Sequence, residues 1–460
     1  MRDDRCPRAG CRPSMLQLVL ALLLALPWGV QAQQNGNGTA PRPTADGVEA
    51  PDSLELALAR ADSMRAQLVQ PPGSYGGVRT MDVIRVPFQL FGATLTLGLA
   101  GVAAVYGVAD EVLIEPALKV RDALAEVDVE ASVGTLGNRS YPAVVLRYQG
   151  FAPFYAEAGY SLRQYQHFAA GYEAGDSTRG GRAAATYQRL RAPHFYGVGP
   201  DSRYEDRADY AHDLLEAAGL FWWAPADGPL TLSAGGGWER NEIGRGWDDH
   251  RTDLQDRPFA GTLVGLEEPT EFVRLQAGAD LDRTFVEHLQ TRGARLLGEL
   301  VHYQGVGGTP SSFLQAAADA RLFFPVNPRQ LVAMRVMAEE TLGEGEDGVP
   351  FTHLARLGDD DGLRGHTSRR FRDRALLAGQ LEWRYEAYWH PGFSDRRVEG
   401  FAFLDAGMVA PSLADMALSE FRATPGLGIR WIEGGRSRVE GYVAFGGGRA
   451  RLDLELGRTF

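Results

Sequence analysis

Between Leu357 and Arg374 the chain reads LGDDDGLRGHTSRRFRDR. Three consecutive carboxylates, Asp359, Asp360 and Asp361, sit between glycines, and Arg364, Arg369, Arg370, Arg372 and Arg374 follow. Clustered carboxylates can hold a hard cation, but a calcium loop alternates its ligands as Asp-x-Asp-x-Asp-Gly and closes with a distal glutamate, a pattern this stretch lacks. His366 and Ser368 are a base and a hydroxyl, yet they stand two residues apart in one loop with no Asn or Asp orienter implied. The chain has neither a Gly-x-Ser-x-Gly elbow nor a His-Glu-x-x-His motif. The remaining chemistry is ion pairing, and the simplest form is neutralisation of the aspartates by Arg369, Arg370, Arg372 and Arg374. The expectation is a non-enzyme with no metal and no cofactor. A second acidic stretch, GWDDHRTDLQD from Gly246 to Asp256, reads as a solvated surface loop.

The charged stretch precedes a run of alternating character, which makes it a loop before a strand. From Ala375 to Trp389, Leu377, Leu381, Trp383, Tyr385 and Trp389 share one face, and Gln380, Glu382, Arg384 and Glu386 the other. In FVRLQAGADLDRT, Val273, Leu275, Ala277, Ala279 and Leu281 oppose Arg274, Gln276, Asp280 and Asp282. In RARLDLELGRTF, Leu452, Leu454, Leu456 and Phe460 oppose Arg451, Asp453 and Glu455. About sixteen such runs recur, near 128–136, 142–150, 155–165, 166–174, 181–191, 207–223, 229–241, 270–283, 292–304, 313–324, 331–341, 376–390, 398–410, 421–432, 437–446 and 449–460. Charge on one face of strand after strand, with Trp222, Trp223, Trp238 and Trp389 near strand ends, suits a sheet with lipid on one side and water on the other. Such a sheet must close, because an open edge in hydrocarbon leaves backbone groups unpaired. The fold class is therefore all-β, a transmembrane antiparallel β-barrel of about sixteen strands with a short N-terminal helical segment.

The rest of the chain fits export. Arg2, Arg5, Arg8 and Arg12 precede an apolar stretch, Met15 to Leu26, and Val30-Gln31-Ala32 offers a cleavage site, so 1–32 reads as a signal peptide. Its removal takes away four arginines and two aspartates, moving the formal net charge from −12 to −14. It also removes both cysteines, Cys6 and Cys11, so neither a disulfide framework nor a thiolate site is expected. An acidic chain whose only concentrated basic segment is 357–374 argues against nucleic acid. Lys119 is the single lysine. Residues 33–80 read as a linker with a short helix. Residues 81–126, including a charge-free stretch from Val86 to Ala109, read as a helical segment at the periplasmic mouth or plug. The barrel is expected over 127–460.

Several pieces together resemble the BamA/TamA family of outer-membrane barrels, the bacterial surface antigen family. GLRGH resembles the Arg-Gly-aromatic tip of its inward-folded loop, with Leu363, Arg364 and Gly365 matching and His366 in the aromatic position. FYGVGPDS (Phe195 to Ser202), DLDRT (Asp280 to Thr284), TRGARL (Thr291 to Leu296), LEWRY and FLDAGMV follow the family's pieces in order, and Phe460 matches its C-terminal aromatic. The resemblance implies that the loop arginine, Arg364, pairs with Glu382 and Asp405, both inward by alternation. It implies an outer membrane of a diderm bacterium, contact with outer-membrane lipid and lipopolysaccharide, and a role in inserting or translocating proteins or lipids, with unfolded barrel clients or a periplasmic partner protein. The chain itself is expected to be a monomer and a short form lacking the family's periplasmic POTRA domains, since 33–126 shows no strand pattern for one.

Two functions follow. One is an insertase or translocase with a weak seam between the first and last strands, where Leu452, Leu454, Leu456 and Phe460 lie and where Gly446, Gly447, Gly448 and Gly457 would loosen pairing, the plainer reading of these glycines being a tight turn and close packing. The other is a passive plugged pore or structural surface antigen. A short, frayed first strand favours the former and a long, well-paired one the latter.

Overall fold

In the computed structural model, the described residues run from 129 to 456, apart from short stretches at 137–140, 152, 162–164, 192, 226–227, 247–251, 288–289, 344–347, 360–361, 390–395 and 434–435. The expectations for 1–126, and those for Asp360, Asp361, Gly457 and Phe460, lie outside them.

One sheet of eighteen strands dominates. Two of these, His194–Phe195 and Phe285–Glu287, are short flanking pairings. The other sixteen form one antiparallel meander, each bonded to its neighbour in sequence. They are β1 (Val129–Leu136), β2 (Tyr141–Phe151), β3 (Phe154–Ser161), β4 (Gln166–Gly175), β5 (Arg179–Leu190), β6 (Ala208–Trp223), β7 (Leu230–Arg245) and β8 (Thr270–Asp282), followed by β9 (Gln290–Val306), β10 (Ser312–Asn327), β11 (Gln330–Gly343), β12 (Ala375–Trp389), β13 (Arg396–Ala410), β14 (Arg422–Glu433), β15 (Arg436–Gly446) and β16 (Arg449–Leu456). These are the sixteen runs expected from alternation, with ends moved by a few residues. One detail differs. Trp238 sits mid-strand, because β7 continues to Arg245 rather than ending near 241.

Exposure along the strands is inverted relative to a sheet in water. Leu275 is 62% exposed, Leu381 43% and Leu452 78%, while Glu382 is 0% exposed. That inversion is what hydrocarbon outside and a polar lumen inside require. The inward charges pair across neighbouring strands, Arg295 with Asp280 at 2.5 Å, Arg335 with Asp319 at 2.6 Å and Arg189 with Asp213, and Arg274 of β8 reaches past β7 to Glu216 of β6.

The two ends of the sheet also differ. Connections leading out of even-numbered strands are short, such as 176–178 and 328–329. Three of the connections leading out of odd-numbered strands are long: 191–207, 246–269 and 344–374. Short turns on one rim and long loops on the other are the mark of an outer-membrane barrel. These three long loops share an apolar core. Phe195 from the first, Leu254 and Leu266 from the second, and Phe351 and Leu354 from the third pack around Tyr210 and Ala208 of β6. Leu254 is fully buried, and Asp253 and Asp256 hold Arg245, so the described part of 246–256 is an ordered cap rather than the solvated loop expected. Apolar residues too few and too scattered to announce an element collect once three loops converge.

Candidate functional site

The 344–374 loop enters the sheet's polar side. Its arms pair as a small hairpin, Ala355–Leu357 with Phe371–Asp373. One face of this hairpin, with Leu363 beside it, packs Ala355, Leu357 and Phe371 on Leu376 and Ala378 of β12 and Val409 of β13. Beyond the hairpin the chain turns tightly. The Asp359 N–H donates to the Leu363 carbonyl at 2.8 Å, and the Gly362 N–H to the Asp359 carbonyl at 3.2 Å.

This turn delivers Arg364 to the wall, where it is 1% exposed. Its Nε and one Nη donate to the two oxygens of Asp405, each at 2.8 Å, and its backbone N–H donates to Asp405 at 3.1 Å. The other Nη donates to Glu382 at 2.9 Å. A planar guanidinium can satisfy two carboxylates in this way, whereas lysine's compact ammonium cannot offer the same fork. The Arg364 guanidinium also lies over the Phe403 ring, 3.6 Å from its centroid. Phe403 can lie flat there because Gly426, directly opposite on β14, has no side chain; a Cβ at Gly426 would fall 2.1 Å from the ring.

Sequence reasoning missed the depth of this site. Glu382 also accepts from Arg384 at 2.6 Å and meets Arg430 of β14 at 3.0 Å, and Arg430 donates to Glu440 of β15 at 2.8 Å. Arg397 donates to Glu399, which Arg430 also approaches. Arg364, Arg384, Arg397 and Arg430 thus stand against Glu382, Glu399, Asp405 and Glu440, a set with no net charge. Alternation alone would place Arg430 and Glu440 inward, which is the signal that could have found them.

Gly365 follows with φ +85, in the left-handed region. A Cβ there would meet Thr424 at 2.7 Å and Ala444 at 2.9 Å, so the tip fits its wall only as glycine. His366 takes up aromatic packing, its ring edge-on to Phe371 at 5.3 Å and lying over Gly446 and Gly447. Burial, with the positive charges of Arg422, Arg370 and Arg451, pushes its pKa down to about 4.

Asp359 and the loop arginines Arg370, Arg372 and Arg374 find partners beyond the loop. Asp359 accepts from Tyr442 of β15 at 2.9 Å and from Arg451 of β16 at 3.0 Å. Arg451 also donates to the His366 carbonyl at 2.8 Å. Arg370 donates to the Ser202 hydroxyl at 2.7 Å, Arg422 to the Pro200 carbonyl, and Arg374 to the carbonyls of Thr341 and Gly343. Arg372 lies over Phe195, Arg370 lies over Tyr196, and the Gly199 N–H donates to the Arg372 carbonyl at 2.7 Å. The FYGVGPDS stretch is therefore the bed on which the loop's second arm lies.

At the seam, β1 pairs with β2 and β16 with β15 along all eight residues of each. Among the described residues no bond joins β1 to β16. Leu452 and Leu454 point outward, and Leu456 ends the strand. Gly447 and Gly448 have φ +57 and +75 and form the two-residue turn between β15 and β16. They make the tight turn of the last hairpin, the plainer of the two readings of these glycines.

The Omp85 superfamily domain matches residues 235–446. Among solved structures, BamA from Haemophilus ducreyi lacking POTRA domains 1-3 aligns with TM-score 0.51 and 13% identity, over 74% of this chain and 77% of that one. CdiB from Acinetobacter baumannii (TM-score 0.43, 12% identity) and CdiB from Escherichia coli (0.47, 14%) each align over 71% of this chain. The chain spans 59% and 61% of those two CdiB chains. No curated protein sequence matches. Residues 235–446 thus carry a match to the Omp85 superfamily domain, and the fold of the chain is similar to that of the BamA barrel.

Proposed function

We propose that this barrel acts in outer-membrane protein or lipid assembly or translocation, through a lateral seam between β1 and β16. The observation that carries this reading is the physical link between loop tip and seam. The segment that buries Arg364 against Asp405 and Glu382 also holds Arg451 of the last strand, through Asp359 and the His366 carbonyl. Arg364, Gly365, Glu382 and Asp405 act as a lock that sets the position of β15 and β16. The first strand has eight described residues and is paired with β2 along all of them rather than frayed, so an exchanging edge would be the one it turns away from β2. An incoming extended segment would add to that edge by β-augmentation. Export by the N-terminal signal, contact with lipid and lipopolysaccharide, and unfolded barrel clients or a periplasmic partner belong to the same reading, as does a monomeric state.

A second reading, a passive plugged pore, draws on the apolar core shared by the three long loops, which packs against β6 at the loop end of the sheet. One experiment separates the two. The purified protein is reconstituted in liposomes, an unfolded small barrel is added, and its folding is followed by heat-modifiable gel mobility beside an Arg364→Ala variant. Faster client folding that is lost in the variant supports the seam. Unchanged client folding together with measurable single-channel conductance supports the pore.

A further inference from the structure

The small loop hairpin has two faces. The apolar one is used against β12 and β13. The other carries Arg356 and Arg372, directly opposite each other across the ladder. Facing residues in such a ladder hold their Cβ atoms roughly 4.5–5.5 Å apart, and like charges so placed repel. Arg372 is nevertheless 2% exposed. Its hydrogen bonds go to neutral oxygens, the Tyr210 hydroxyl at 3.1 Å and the His194 carbonyl at 3.2 Å. Among the described residues neither Arg356 nor Arg372 has a carboxylate within ion-pair distance. The contrast with Arg364, in the same loop and held by two carboxylates, is sharp. Arg356, Arg369 and Arg372 all lie within electrostatic range of the Tyr210 hydroxyl, and Arg369 and Arg372 within that of His212. Asp373, the nearest acid in sequence, alternates to the other side of the strand and accepts the Arg374 N–H.

A guanidinium withdrawn from water without an anion is costly, and two side by side more so. We propose that this face of the hairpin is an oxyanion site, in which Arg356 and Arg372 with the Tyr210 hydroxyl bind a phosphate group. Two planar forks and a hydroxyl supply more donors than one carboxylate can accept, and a phosphate carrying about −1.5 to −2 charges matches two arginines. Arg372 is the buried wall of the site, and half-buried Arg356 is its mouth. Free phosphate and a phospholipid headgroup share this chemistry. The proposal is independent of the seam.

The test is calorimetric titration of the folded full chain in maltoside micelles with inorganic phosphate, replacing chloride at constant ionic strength. Arg356→Gln is the deciding variant, because the Arg356 side chain makes none of the fold's hydrogen bonds among the described residues; its folded state is checked by heat-modifiable mobility. Arg295→Gln, on the half-exposed β8–β9 ion pair with Asp280, is the control. Saturable binding weakened about tenfold or more in Arg356→Gln and unchanged in Arg295→Gln supports the site. Short-chain phosphatidic acid, titrated below its micelle concentration, identifies the headgroup as source if it binds more tightly with the same Arg356 dependence; weaker binding identifies the free anion. Absence of saturation, equal loss in both variants, or tighter Arg356-dependent binding of a hexaglutamate peptide overturns the proposal.

Discussion

Arg364 and Asp405 form a buried bidentate pair to which Arg364 adds its own backbone N–H, so every hydrogen bond found on Asp405 comes from one residue. Glu382, by contrast, is shared among Arg364, Arg384 and Arg430. Removing Arg364 strands Asp405 and leaves Glu382 with two cations. Breaking a buried pair by deleting one partner costs about 3–5 kcal/mol, since the remaining charge is uncompensated. Arg364→Ala is expected to lose about that much in the thermal midpoint experiment read by gel mobility. Arg364→Ala/Asp405→Ala should be less damaged than the sum of the single changes, with a larger coupling than Arg364→Ala/Glu382→Ala. Equal coupling to both carboxylates would refute the asymmetry.

Gly365→Ala should displace the tip although Arg364 is intact. The left-handed φ alone costs about 1–2 kcal/mol, and the new methyl meets Thr424 and Ala444. Gly298→Ala in β9, where a Cβ meets nothing within 4 Å, serves as the control and should be neutral or slightly stabilising. Proteolytic cleavage between Arg369 and Arg374 reads the difference: faster in Gly365→Ala, unchanged in Gly298→Ala.

Acid should loosen the loop. His366 is held neutral when docked, with its pKa lowered to about 4 by burial and by Arg422, Arg370 and Arg451. Released into water it would titrate near 6.5. Between those values the released loop binds a proton that the docked loop does not, so docking weakens as pH falls from about 6.5 to about 4 and changes no further from this source below that. A spin label on a Ser368→Cys variant should grow more mobile from pH 7 to pH 4.5. A second change, His366→Phe, keeps the ring contact with Phe371 and should flatten the profile. A profile equally steep in the His366→Phe variant would point to another titrating group.

Leu275 and Leu452 look like ordinary exposed positions, where substitution is usually worth less than about 0.5 kcal/mol. Because their solvent is hydrocarbon, Leu275→Arg should cost about 2–4 kcal/mol if it lies near the bilayer midplane, measured by urea titration of folding into vesicles. A neutral result would place that face in water.

Much of this was legible in the sequence because lipid and water on opposite sides of one strand force a period of two, and strands of up to seventeen residues display it repeatedly. Glu382 and Asp405 could be placed inward on parity alone. The loop was less transparent. The three-residue arms of its hairpin are too short to show a period. Nor does local sequence reveal that Asp359 reaches Arg451 or that Arg370 reaches Ser202, since those contacts are set by where the loop folds back. The opposed charges of 357–374 suggested that they satisfy each other, whereas Asp359 and Arg370 reach groups far along the chain.

The position of the Arg364 site along the chain has a consequence for how the molecule is built. Its loop, Asp405, Glu382, Arg430, Tyr442 and Arg451 all fall between 344 and 456, on consecutive strands β12 to β16 with β11 beside them. Contacts of short sequence separation form early. The C-terminal sheet can therefore take in its loop while still an open ribbon, and the contacts with 193–210 can follow only when the N-terminal strands come round. A hairpin whose apolar face rests on β12 and β13 can be laid on those strands before the rest of the sheet is in place, which makes the loop an early rather than a late part of the fold.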